Sequence, residues 1–233
     1  MEKSDPPERP RALQQRAGDE RPRTLSYSPK HLAKVLGQED TSEDDLLFFR
    51  ESRVVGFTCE WIREKESFQW WRAGTDRPEV RYLWLKAPPA VGKSVLMSSV
   101  VDKLHADGEK CAYYFFRVHD AVRRTTRAFL LSMVAQIARQ NPEFRERLFE
   151  LDEDHTNIHS MTTRLLWQKV FVDTLFNITS RVSYHWVVDG LDEAEKPSEV
   201  LSFIGKIPSL TPIRVLIASR AEMELERDFR KLT

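Results

Sequence analysis

KAPPAVGKSVL, Lys86 to Leu96, is the stretch on which the reading of this chain turns. Ala87, Gly92, Lys93 and Ser94 fit a phosphate-loop pattern: Ala or Gly, four free positions, then Gly-Lys-Ser/Thr. The short apolar run YLWLKA (82–87) before the loop predicts a strand, and residues 93–104 after it predict a helix. A strand entering and a helix leaving would point backbone N–H groups, and the positive end of the helix, at a phosphate. The loop residues Ala87, Pro88, Pro89, Ala90, Val91, Gly92, Lys93, Ser94 and Val95 are therefore expected to hold a nucleotide, with the amides from Ala90 to Val95 as the cradle. Lys93 would reach the outer phosphates, and the Ser94 hydroxyl would coordinate Mg²⁺.

Two later stretches supply what such a loop needs. HWVVDGLDEA (185–194) runs four apolar or aromatic residues into Asp189, at a predicted carboxy-terminal strand end, where open α/β sheets bind ligands. Asp189 can join the Mg²⁺ shell there, and Asp192 and Glu193 follow on the next turn, where a carboxylate can orient or deprotonate a water. IRVLIAS (213–219) is another apolar strand, closed by Ser219 and Arg220. A polar residue and an arginine at that point can sense and stabilise a γ-phosphate. CAYYFF (111–116) completes a set of strands that are apolar on both faces and separated by helices. That pattern predicts an α/β domain with a mostly parallel sheet covered by helices.

Taken in order, GFTCEWIREKESFQWW, LWLKAPPAVGKSVL, VVDGLDEA and LIASR resemble NACHT-type signalling NTPases of the nephrocystin-like branch, over residues 56–221. The resemblance implies the STAND class of P-loop NTPases, regulated switches in receptor or scaffold proteins. It implies a sheet in which the LIASR strand lies between the P-loop strand and the VVDG strand. It also implies roles: Lys93 and Ser94 for phosphate and Mg²⁺, Asp189 for Mg²⁺, Glu193 for the water and Arg220 as sensor.

The loop departs from the family's usual GxPGSGKS. Ala90 stands where a glycine often adopts positive φ, a conformation that costs alanine on the order of 1–2 kcal/mol, or roughly tenfold in affinity. Ala90→Gly is accordingly expected to tighten nucleotide binding. The resemblance also implies a further strand, a winged-helix lid and a repeat array. The sequence ends at Thr233 without them, which predicts an exposed nucleotide, weak or no hydrolysis and a truncated carboxy-terminal side.

The bulk composition fits this reading. With 36 basic and 36 acidic residues the chain has no net attraction for nucleic acid. Its two cysteines, Cys59 and Cys111, form no metal or disulfide framework. No apolar run nears the roughly 20 residues that span a bilayer, and the amino-terminal stretch lacks a signal-peptide core, so a cytoplasmic location is expected. Residues 1–27, rich in Pro, Arg and Glu, predict a disordered tail. A helical prelude occupies 28–55, with Ser28 as a cap, Gly37 as a stop and a capping box from Ser42 to Asp45. The NTPase-like core spans 56–221, and 222–233 form a helical remnant. Thr58 is expected to cap a helix carrying Trp61 and Ile62, with Phe68 and Trp71 on a second helical face; these aromatics either pack the core or also cover a ligand's base.

The sequence thus predicts an Mg²⁺-dependent ATP- or GTP-binding switch that works through protein partners. The alternative is a non-catalytic interaction module that keeps the fold without the nucleotide.

Overall fold

A computed structural model describes residues 28–53, 59–74, 81–153, 157–178 and 183–232. The tail at 1–27, the prelude boundary near 55 and the proposed cap Thr58 lie outside them. Two short helices come first, α1 (Pro29–Leu36) and α2 (Ser42–Glu51). Pro29 opens α1 and Gly37 closes it at φ 69, as the sequence pattern anticipates, although Ser28 makes no side-chain capping bond. The expected capping box in α2 does not form. Thr41 occupies the cap position, Ser42 bonds Asp40, and the Asp45 carboxylate is taken by Arg117 and Arg123 at 2.7 and 2.6 Å. Those two arginines outcompete a lone backbone amide because their bonds to the carboxylate are charge-assisted on both sides.

After a 3-10 turn (Glu60–Glu64), α3 (Glu66–Ala73) buries Phe68 and Trp71, whose ring centroids lie 5.4 Å apart. The α/β core follows as β1 (Tyr82–Lys86), α4 (Lys93–Ala106), β2 (Cys111–Phe115), α5 (Thr126–Gln140) and α6 (Pro142–Glu153). Thr125 caps α5 by accepting from the Ala128 amide at 3.2 Å.

Residues 163–178 are helical in three parts. These are α7 (Thr163–Leu166), a π-helical stretch (Trp167–Leu175) and α8 (Phe176–Ile178). Within this stretch Trp167 stacks on Phe171 at 4.8 Å and meets Phe176 at 5.6 Å, while Phe171 reaches Trp186 at 5.9 Å. Wider turns therefore coexist with three aromatic rings on the core side, an arrangement that 3.6-residue periodicity does not encode. β3 (Tyr184–Asp189), α9 (Pro197–Ile204), β4 (Ile213–Ser219) and α10 (Met223–Phe229) complete the described chain.

The sheet has the order β1-β4-β3-β2, and all three pairings are parallel. The strand carrying LIASR thus lies between the P-loop strand and the VVDG strand. Because side chains alternate across a strand, the sheet feeds two cores. Tyr114, Trp186, Val188, Val215 and Ile217 pack with α1, α5 and α7, whereas Cys111, Tyr113, Val187, Leu216 and Ala218 pack with α3 and α4. Leu32, Val35 and Leu36 of α1 belong to the first of these cores, so the prelude is docked onto the domain. Among the described residues no helix is long and apolar enough to cross a membrane.

Candidate functional site

Parallel strands all end on the same side of a sheet, so the loops after β1, β3 and β4 meet there. The Ala87 amide donates to Ser219 O at 3.3 Å, carrying the β1–β4 ladder one residue into the loop. The loop then turns through Ala90 at φ 61 and Gly92 at φ 86. Ala90 is one of two described non-glycine residues with positive φ, the other being Cys59, so the strain expected of this alanine is present. Gly92 caps α4, and a Cβ built on it would meet nothing within 4 Å. The first turn of α4, whose amides have no partner within the helix, starts from this open position. Pro88 and Pro89 bring no N–H, and Ala90 and Val91 are exposed. Lys93 folds back over the loop, its Nζ donating to the carbonyls of Ala87 at 2.8 Å and Pro88 at 2.7 Å.

Ser94 and Asp189, far apart in sequence, are in direct contact: Ser94 Oγ donates to Asp189 Oδ2 at 2.5 Å. Asp189 is 4% exposed, and its second oxygen, Oδ1, is buried without a hydrogen-bond partner. Burial pushes its carboxyl up to about 6. The Ser94 bond and Lys93 oppose that shift, while the nearby charges of Glu193 and Asp192 add to it.

The remaining acidic and basic candidates are engaged with one another. Asp192 accepts from the Arg220 backbone amide at 2.9 Å and pairs with Arg220 Nε at 3.2 Å. Glu193 accepts from the Val118 amide at 3.0 Å, which ties the β3 turn to the loop after β2. Ser219 accepts from Trp84 Nε1 and donates to Arg220 O, both at 2.8 Å. A cavity of about 600 Å³ adjoins the loop, lined by Cys59, Trp61, Leu85, Val91, Gly92 and Lys93 among others.

With this arrangement established, comparison with known proteins is informative. The family described as Nephrocystin 3, N-terminal, matches residues 57–220, well over half of the chain. The chain belongs to this family. It is also similar to Vegetative incompatibility protein HET-E-1 of Podospora anserina, 22% identical over 180 residues. That alignment covers 74% of this chain but only 13% of the relative, so the chain spans a small part of that protein's length. The two matches together give a nephrocystin-like NACHT-family relationship. No solved structure matches significantly.

In this nephrocystin-like domain, every candidate nucleotide, metal and catalytic residue read from sequence falls within the matched span, with Arg220 at its last position. The fold brings Ser94 to Asp189 and Arg220 to Asp192, while Lys93 is turned toward its own loop. Sequence reasoning did not find the Trp84–Ser219 bond, the Val118–Glu193 tether or the Asp192–Arg220 clasp, because each joins residues that no local spacing relates. Arg123, just before α5, and Arg127, in its first turn, serve internal contacts. Arg123 binds Asp45, and Arg127 donates to the carbonyls of Ile158, His159 and Met161.

The donor set suits Mg²⁺. This ion takes a carboxylate and a hydroxyl alongside phosphate oxygens, and Asp189 Oδ1 is buried without a hydrogen-bond partner.

Proposed function

We propose that this domain binds a nucleoside triphosphate, ATP or GTP, together with Mg²⁺, and serves in the cytoplasm as a NACHT/STAND-type switch acting through protein partners. The observation that carries the reading is the Ser94–Asp189 contact with its orphaned Oδ1, set beside the open start of α4 at Gly92. The amides from Ala90 to Val95 would donate to the phosphate oxygens, and Lys93 would leave the carbonyls of Ala87 and Pro88 to pair with the outer phosphates. Ser94 and Asp189 would hold Mg²⁺, which when bound neutralises charge on the terminal phosphates. The cavity beside Trp61 has the size of a nucleoside site, and the half-exposed indole offers a stacking face for the base.

Hydrolysis is expected to be weak or absent. Glu193, the residue assigned to the water, accepts from Val118, and the sensor Arg220 is held by Asp192. Each tie holds its side chain in place and draws on the group that would serve a γ-phosphate. The rival reading, an interaction module without nucleotide, draws on Lys93, whose ammonium is already satisfied inside the loop, and on the strained Ala90.

A thermal-shift series with ATP, GTP, their diphosphates and tripolyphosphate, with and without Mg²⁺, separates the two. An Mg²⁺-dependent rise that Lys93→Ala abolishes supports the switch. No shift with any of these ligands supports the module. A shift with ATP or GTP that exceeds the shift with tripolyphosphate, and shrinks in Trp61→Ala, supports the base seat.

A further inference from the structure

α2 touches both halves of the candidate site although it precedes the family-matched span, ending at Glu51 where that span opens at residue 57. On one side it grips α4, the helix that the P-loop opens. Arg50 donates to both Asp102 oxygens, at 3.2 and 2.6 Å. Arg53 donates to Asp102 at 3.0 Å and to Ser98 Oγ at 3.1 Å. On the other side Phe49 packs on Phe115 at the end of β2, with ring centroids 4.9 Å apart, and Asp45 takes Arg117 and Arg123 from the loop that follows.

Three consecutive residues of that loop divide their bonds between α2 and the turn after β3. The Phe116 amide donates to Asp189 O at 3.0 Å, the Arg117 guanidinium to Asp45 at 2.7 Å, and the Val118 amide to Glu193 Oε2 at 3.0 Å. The Arg117 and Val118 backbones share one planar peptide unit, so anchoring the first constrains the amide that holds Glu193. Asp45 suits this task. Its carboxylate is 6% exposed, and its Oδ1 accepts from both guanidiniums. Such charge-assisted bonds, shielded from water, are strong and exacting in geometry. The Arg117 guanidinium also lies 5.2 Å from the Phe48 ring centroid and 4.7 Å from that of Phe49, which adds two contacts with the same helix.

We propose that α2 is a built-in restraint on Glu193. By way of Asp45 and Arg117 it keeps the Val118 amide in place as the partner of that carboxylate, and loosening its hold frees Glu193. Asp45 is thus a positioning residue that reaches Glu193 only through the loop. The consequence for hydrolysis rests on the reading of Glu193 as the group that serves the water; the link itself does not.

The test uses the full chain, compared with Asp45→Asn, Arg117→Gln and Glu193→Ala. Hydrogen exchange at the Val118 amide, followed without ligand, reads the link. Glu193→Ala deletes the acceptor and sets the rate of the released amide. Asp45→Asn and Arg117→Gln should speed Val118 exchange about tenfold toward that rate, while the amides of Leu216 and Ile217 in β4 keep theirs. Phosphate release from ATP or GTP with Mg²⁺ should rise about threefold or more in both variants, and the rise should vanish when Glu193→Ala is added. Should Asp45→Asn fail to fold by circular dichroism, Arg117→Gln decides alone. Unchanged exchange at Val118 overturns the proposal. So does equal acceleration across β4, which marks a general loss of stability, or nucleotide that binds to the variants without faster release. If no nucleotide binds, the nucleotide reading falls, and exchange at Val118 still decides the restraint.

Discussion

The turns that follow β1 and β3 leave the same edge of the sheet, yet they are built on opposite principles. The first, from Ala87 to Lys93, is largely exposed and presents backbone; its one charged side chain, Lys93, is folded onto the loop's own carbonyls. The second, from Asp189 to Glu193, presents side chains. Asp189 is buried, the Asp192 carboxylate is 5% exposed, and all three carboxylates are held by Ser94, Arg220 or Val118. A backbone cradle tolerates changes of side chain as long as φ and ψ persist. A turn that works through buried carboxylates does not.

The largest expected effect is at Asp189. Its pKa in the folded chain, about 6, stands above the ordinary 3.8, so the folded state holds this proton more tightly than the unfolded state. Stability is therefore lost as pH rises from about 4 to about 6, and the cost is full above that. A shift of this size corresponds to roughly 3 kcal/mol. Asp189→Asn keeps an acceptor for Ser94 and removes the charge. It should raise the melting temperature of the ligand-free chain at pH 7.5, with the gain vanishing below about pH 4, and it should remove any Mg²⁺ dependence of nucleotide binding. A lower melting temperature at pH 7.5 would mean that Asp189 is compensated in the free chain, and the contrast between the turns would fail.

Gly190 tests the second turn through its backbone. It sits at φ 67, and an added Cβ would lie 3.2 Å from Phe116 O. Gly190→Ala should cost about 1–2 kcal/mol from the left-handed conformation, with the close carbonyl adding to it. Urea denaturation measures the sum. A neutral result would show this turn to be as permissive as the first.

Trp84→Phe should cost less, about 1 kcal/mol, by deleting one hydrogen bond to the fully buried Ser219. The ring's contact with Phe229 would remain. Equilibrium unfolding checks the magnitude.

These contrasts also explain what could be read from the sequence. The strands were legible because each is apolar on both faces, and the P-loop because its chemistry lies in consecutive residues. Strand order followed from the ordered motifs and their family resemblance. Ties between distant residues were not legible. Asp45 was read as a helix cap because Ser42 lies three residues before it, yet burial beside Arg117 and Arg123 gave it other partners. The clasp of Asp192 on Arg220 depends on β4 lying beside β3, and no local spacing carries that information. The π-helical turns from Trp167 to Leu175 likewise coincide with aromatic packing rather than with a local pattern.

Ala90→Gly carries the smallest expected effect, and the structure revises its magnitude. From sequence, an alanine forced to positive φ by the nucleotide would weaken binding roughly tenfold. A loop that keeps Ala90 at φ 61 both with and without nucleotide carries that strain in both states, so the strain cancels from the binding equilibrium. Glycine would relieve on the order of 1–2 kcal/mol of strain but make the unfolded chain less ordered by about 0.5–1 kcal/mol. The expected outcome is a gain in stability between zero and about 1.5 kcal/mol by urea denaturation. Nucleotide affinity should rise by less than about threefold by calorimetry, because under 1 kcal/mol of strain remains to be released on binding. A tenfold tightening would instead mean that the loop changes conformation when it closes on phosphate, and the open cradle at Gly92 would then be a resting shape.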